Sequence, residues 1–178
     1  MKMLKKLLAV VLTGAMALTL LTACGSNAVT EKDIADAMND MAKAKGTNVT
    51  FTPRAAEREL AQKLAALSEK DWNITGGKLS EKVIEILGLN EANEESCFVW
   101  YGAVFADEIG VTGQAYNVMN NILSKDAVNA DKLTGKEPGN IRYIGTALGT
   151  LTIHGKQTTV RFIVVTADAE DPQHPGKA

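Results

Sequence analysis

The stretch Cys97-Phe98-Val99-Trp100-Tyr101-Gly102-Ala103-Val104-Phe105 contains no charged residue and no proline. It is rich in aromatic and β-branched side chains and shorter than an ordinary buried helix. It therefore reads as a strand covered on both faces, and the centre of a sheet is its expected place. A strand of that kind needs apolar layers around it, and the flanking sequence offers amphipathic helices.

Thr30, with Asp33 three residues later, has the pattern of a helix N-cap, and Ile34, Met38 and Met41 share a helical face before Gly46. Thr52-Pro53 repeats a start signal, with Thr as cap and Pro at the first helical position. The stripe of this second helix is expected at Ala56, Leu60, Leu64 and Leu67, with Arg54, Glu57, Arg58, Lys63 and Glu69 on the other faces. Ser80 caps a short helix closed by Gly88, with Leu79 and Ile84 placed for a hydrophobic staple. Thr112 is read as the cap of a further helix whose Ala115, Val118, Met119, Ile122 and Leu123 keep an unbroken apolar period.

Residues 126–140 read as a long polar loop. Ile141 to Ile153 and Thr158 to Thr166 are β-rich runs flanking the hairpin signal His154-Gly155-Lys156-Gln157. Residues 167–178 are expected to fray. Helices before and between antiparallel strands make an α+β order, with helices packed on a sheet.

The beginning of the chain has a different character. Met1 to Lys6 carries three lysines and no acid, and the next 17 residues, Leu7 to Ala23, carry no charge at all. These are the n-region and h-region of an export signal, although such a run also sits at the lower limit for a membrane-spanning helix. It closes with Leu21-Thr22-Ala23-Cys24-Gly25, which resembles the lipobox of bacterial lipoproteins. That resemblance implies recognition through Leu21, Ala23 and Cys24, transfer of a diacylglyceryl group (the palmitate-type anchor) to the Cys24 thiol, and cleavage before it. Two acyl chains on one residue make a stable anchor, whereas one binds only marginally. The expected organisation is a signal peptide over 1–23, a tether over 24–29, a domain over 30–167 and a tail over 168–178. The expected location is the extracytoplasmic face of the cell membrane.

The chain has 178 residues, 19 basic against 21 acidic side chains, two Cys and two His. Removing residues 1–23 takes away three lysines and no acid, leaving 155 residues with 16 basic and 21 acidic side chains, a net charge of −5. That balance, without a basic stripe, excludes nucleic acid as an expected partner. With Cys24 acylated, Cys97 is the remaining cysteine, so no intramolecular disulfide forms.

Three stretches of the domain resemble a CAP domain, the fold of cysteine-rich secretory proteins, antigen 5 and plant pathogenesis-related proteins. They are Met38-Asn39 to Gly46 with Leu60-Ala61 and Ala65 to Trp72; Ala106-Asp107-Glu108-Ile109 leading into Thr112 to Ser124; and Tyr143-Ile144-Gly145-Thr146-Ala147 with Gly155 and Phe162 to Val165. The resemblance implies a three-layer α-β-α sandwich with a mainly antiparallel sheet. It also implies a cleft where the family usually presents two His and acidic residues, a set suited to a divalent metal. Those positions fall near Ile74, at Asp107 and near Ala127, so Asp107 alone remains as a ligand. Neither a metal nor any other cofactor is expected.

No nucleophile elbow, phosphate loop or paired-Cys motif is present. His154 lies in the hairpin turn and His174 in the tail, while Cys97 opens an apolar strand, the setting of a small buried hydrophobe. No residue is assigned a catalytic role. Asp107, Glu108 and Trp72 are the candidate cleft residues, Trp72 being the aromatic expected to be more exposed and Trp100 the one expected in the core. The sequence thus points to a membrane-tethered, non-catalytic binding or interaction module for an envelope ligand or protein. The alternative is an envelope hydrolase with a divergent acidic site.

Overall fold

A computed structural model describes residues 29–72, 80–89, 96–107, 109–122, 128, 133 and 135–172. Helix α1 spans Glu31–Ala44. Thr30 caps it in a reciprocal box, its hydroxyl accepting from the Asp33 N–H while the Asp33 carboxylate accepts from the Thr30 N–H at 2.8 Å. The chain then turns at Gly46, whose φ of +71° is open to glycine at little expense.

Strand β1 covers Thr50–Pro53 and helix α2 covers Ala55–Ala65. Thr52 and Pro53 are therefore strand residues, not the cap and first turn of the helix. The Arg54 N–H donates to the Ile144 carbonyl, which carries the ladder past Pro53 and delays the helix. A short 3₁₀ turn at Glu69–Asp71 and helix α3, Glu81–Leu87, follow. Ser80 caps α3 by accepting from the Val83 N–H, and Gly88 ends it at φ +62°. The staple expected with Leu79 lies outside the described residues.

Strand β2 spans Ser96–Phe105 and helix α4 spans Val111–Ile122, so Thr112 lies inside the helix rather than at its cap. The last two strands, β3 over Glu137–Ile153 and β4 over Lys156–Glu170, form a hairpin about His154-Gly155. β3 begins inside the stretch expected to be a loop, and β4 runs through Glu170, into the stretch expected to fray.

The sheet order is β1-β3-β4-β2, with β1 parallel to β3 and the other two pairings antiparallel. Among the described residues the fold is thus four helices with a four-stranded mixed sheet, an α+β arrangement. The apolar strand β2 lies at an edge, and the two hairpin strands take the centre. Its hydrophobicity reflects covering by helices rather than a central position. A register shift between Phe98 and Trp100 places Val99 and Trp100 toward the same set of core residues, a bulge that simple alternation does not predict.

Alternating side chains of the sheet feed two cores. Ile163, Val165, Ala167, Cys97, Val99 and Ile144 pack with α1 and α4 through Ile34, Met38, Ala115, Val118 and Met119. Val160, Phe162, Val164 and Phe98 pack with α2 and α3 through Ala61, Leu64, Val83 and Leu87. No described helix is long and apolar enough to cross a membrane.

Candidate functional site

Two of the three expected cleft residues fall among the described ones. Asp107 is exposed in the bend after β2, and Glu108 lies outside the described residues. Trp72 is half-buried, as Trp100 is. Its ring meets Phe162 at 4.8 Å between centroids, its Nε1 donates to the Leu64 carbonyl at 2.8 Å, and it packs on the core beneath α2 and α3. An indole with its N–H satisfied and its ring stacked closes a core; it does not offer an open platform. Trp100 packs against the other core, as expected. His154 is exposed at the hairpin turn with φ +51°, and no hydrogen bond joins it to Asp107.

The polar chemistry gathers instead at the amino end of α2. Glu57 is 2% exposed although it was placed on an outer face of the helix. Its Oε1 accepts from Arg54 Nη2 at 2.5 Å and from the Thr166 hydroxyl at 2.7 Å, while Oε2 accepts from Arg54 Nε at 2.7 Å. The Arg54 guanidinium lies 3.6 Å from the Tyr143 ring centroid, and the Tyr143 hydroxyl donates to Asp168 at 3.1 Å. One sequence signal pointed here: an Arg and a Glu three positions apart at a helix start.

Burial alone pushes the Glu57 carboxyl up, but hydrogen bonds from Arg54 and Thr166 outweigh it and hold the group below the usual carboxylate range. Hydrogen bonding to Asp168 pushes the Tyr143 hydroxyl up. Both Glu57 oxygens are occupied, so this carboxylate is neither a free base nor a proton donor at neutral pH.

A pH dependence follows. A depressed carboxyl stabilises the fold fully above its unfolded value of about 4.5, and that contribution disappears as pH falls through the lower folded value. Arg54 is partly exposed and can rehydrate, so Glu57→Gln is expected to lower stability at neutral pH by about 1 kcal/mol. The gap from wild type should be smaller at an acidic pH below the lowered folded value. Urea midpoints at the two pH values measure it; a gap that does not change with pH contradicts an ionised Glu57.

A buried cation, Arg161, is 7% exposed in β4. It donates to Gln114 of α4 at 2.9 Å, to the Thr146 hydroxyl at 3.2 Å and to the Val29 carbonyl at 2.7 Å. Its signal in the sequence was a charge inside the run Thr158 to Thr166. Cys97 is fully buried; burial pushes its thiol up, with the nearby Arg142 guanidinium pulling the other way. Burial also raises the Tyr101 hydroxyl to about 12. Neither is poised as a nucleophile at neutral pH.

At the opposite end of the sheet from the Asp107 bend, an open polar groove of about 330 Å³ is lined by Thr47, Asn48, Glu137, Asn140, Glu170 and Asp171 among others. Among the described residues, no three His, Cys, Asp or Glu side chains stand together in a way that holds a metal ion. The positions of the family-type metal set do not fit one either. Ile74 and Ala127, both outside the described residues, bear no ligating side chain, and Asp107 is a single carboxylate.

No protein-family model matches the chain, and no curated protein or solved structure matches it.

Proposed function

We propose that this protein is a lipoprotein anchored through Cys24 to the outer face of a cell membrane, carrying a CAP-like, non-catalytic binding or interaction module. The observation that carries the reading is the basic start, the uncharged run of 17 residues and the terminal Leu21-Thr22-Ala23-Cys24. The CAP-like part, a three-layer α-β-α sandwich, is supported by the two cores, α1 and α4 sharing one and α2 and α3 the other. It is supported too by the hairpin of β3 and β4 that closes the chain order.

The non-catalytic part is supported by how the reactive groups are held. Glu57 is enclosed by Arg54 and Thr166, Cys97 is buried, and Asp107 and His154 are exposed without a mutual contact. A hydrolase requires an acid and a base converging on one substrate position, and Glu57, Asp107 and His154, among the described residues, do not converge in that way.

The test is mass spectrometry of the protein extracted from membranes of cells expressing the full chain. The expected amino-terminal peptide begins at Cys24 and carries the mass of a diacylglyceryl group. A chain that retains Met1, or an unmodified Cys24, overturns the reading.

A further inference from the structure

The position at which the chain joins the folded domain limits how a lipid anchor can orient it. Arg161 holds the Val29 carbonyl at 2.7 Å, and Val29 itself packs on the core shared by α1 and α4. Two residues on, Glu31 accepts from the Thr146 N–H at 2.7 Å and from Arg58, also at 2.7 Å. Val29 is thereby fixed to the row of the sheet where Arg161 faces Val104 on one side and Leu148 on the other.

From that row, α1 runs toward the Glu170 end. Its Asn39 exchanges hydrogen bonds with the Phe51 backbone, and Phe51 is the register partner of Arg142. Beyond it, Thr47 and Asn48 reach the groove beside Glu137 and Glu170.

Strands rise about 3.3 Å per residue, so Lys156 at the hairpin end lies about 17 Å from Arg161, and Glu170 at the other end about 30 Å. Cys24 lies five positions before Val29, and fully extended that stretch spans at most about 18 Å. That reach lets the hairpin end meet a bilayer. It does not let the Glu170 end meet one with Val29 standing above it.

Resting on the lipid-anchor reading, we propose that the hairpin end of the sheet, at His154-Gly155-Lys156, is the surface turned to the lipid headgroups. The groove lined by Glu137 and Glu170 then faces away from the membrane. One feature agrees with this polarity. The far end carries the exposed carboxylates of Glu137, Glu170 and Asp171, which an anionic headgroup layer repels. Asp107 is also exposed on the hairpin side of the Arg161 row, so tether reach, not net charge, sets the contact. A flank-down pose is opposed by the outer face of α1, where Lys32, Asp36, Asp40 and Lys43 are all exposed and hydrated.

The experiment uses the lipidated full chain in phosphatidylcholine vesicles doped with a headgroup-nitroxide lipid. A fluorophore is attached through His154→Cys or Asp171→Cys, each in a Cys97→Ser background. The His154 probe should be quenched several-fold more strongly than the Asp171 probe; equal quenching, or stronger quenching at Asp171, overturns the proposal. Inserting ten Gly and Ser residues between Ser26 and Asn27 should erase the difference while vesicle association is unchanged. A difference that survives the insertion overturns the tether as its cause. Failure of the underlying reading is seen separately, as a missing diacylglyceryl mass on the purified chain, and the orientation falls with it.

Discussion

Replacing Cys24 with alanine is expected to abolish incorporation of labelled palmitate completely and to leave either an unprocessed chain or a released domain. In the proposed anchor the Cys24 thiolate is the nucleophile that receives the diacylglyceryl group with its two acyl chains, and alanine supplies none. Each buried methylene contributes about 0.8 kcal/mol to anchoring, so losing two acyl chains removes a term far larger than any surface contact of the domain. No described helix provides a membrane span in its place. The measurement is label incorporation, together with fractionation after an alkaline wash. Label persisting in Cys24→Ala places the lipid elsewhere and removes the anchor assignment.

The second large effect is expected at Gly145. A Cβ built there overlaps the Arg58 backbone nitrogen and the Glu57 carbonyl carbon, both parts of the α2 backbone. Backbone, unlike the far end of a flexible side chain, cannot swing aside, so Gly145→Val has to push α2 off β3. That movement also pulls Glu57 away from Thr166 and disturbs the packing of Leu64 and Ala61 on Phe162. Overpacking of this kind costs about 3 kcal/mol, and the coupled loss of the Glu57 hydrogen bonds adds to it. The expected result is a fall of about 1–3 M in the urea midpoint, or an insoluble product. Gly110→Ala is the control, since a Cβ at Gly110 meets nothing within 4 Å. If Gly145→Val unfolds at the same midpoint as this control, the close approach of α2 to β3 is wrong.

Much of the local structure was legible. The box of Thr30 and Asp33, the caps at Ser80 and Gly88, the stripe of Ala115, Val118, Met119 and Ile122, and the turn at His154-Gly155 all rest on residues within a few positions of one another. The errors lie where distant chain segments compete with that local code. Thr52-Pro53 has the chemistry of a helix start, but pairing with Tyr143 and Ile144 keeps it in a strand. Glu57 has the chemistry of a solvent-facing residue, but Arg54 and Thr166 enclose it because Gly145 lets the helix sink onto the sheet. The candidate cleft residues were decided the same way: Asp107 stands exposed in the bend after β2, and Trp72 packs on Phe162, ninety positions away in sequence.

What the amino-acid sequence determined by itself was therefore local: helix ends, the hairpin turn, the apolar faces, and the linear Leu21-Thr22-Ala23-Cys24 pattern on which the anchor proposal rests. The tertiary structure alone decided that the apolar strand β2 stands at an edge. It alone decided that Glu57 is an interior anion and that Arg161 reaches the Val29 carbonyl. The physical reason is separation along the chain. A cap or a turn is satisfied by groups a few residues apart, but Thr166 meets Glu57 across 109 positions and Arg161 meets Val29 across 132. Such partners are specified only when the whole sheet has assembled between the helices.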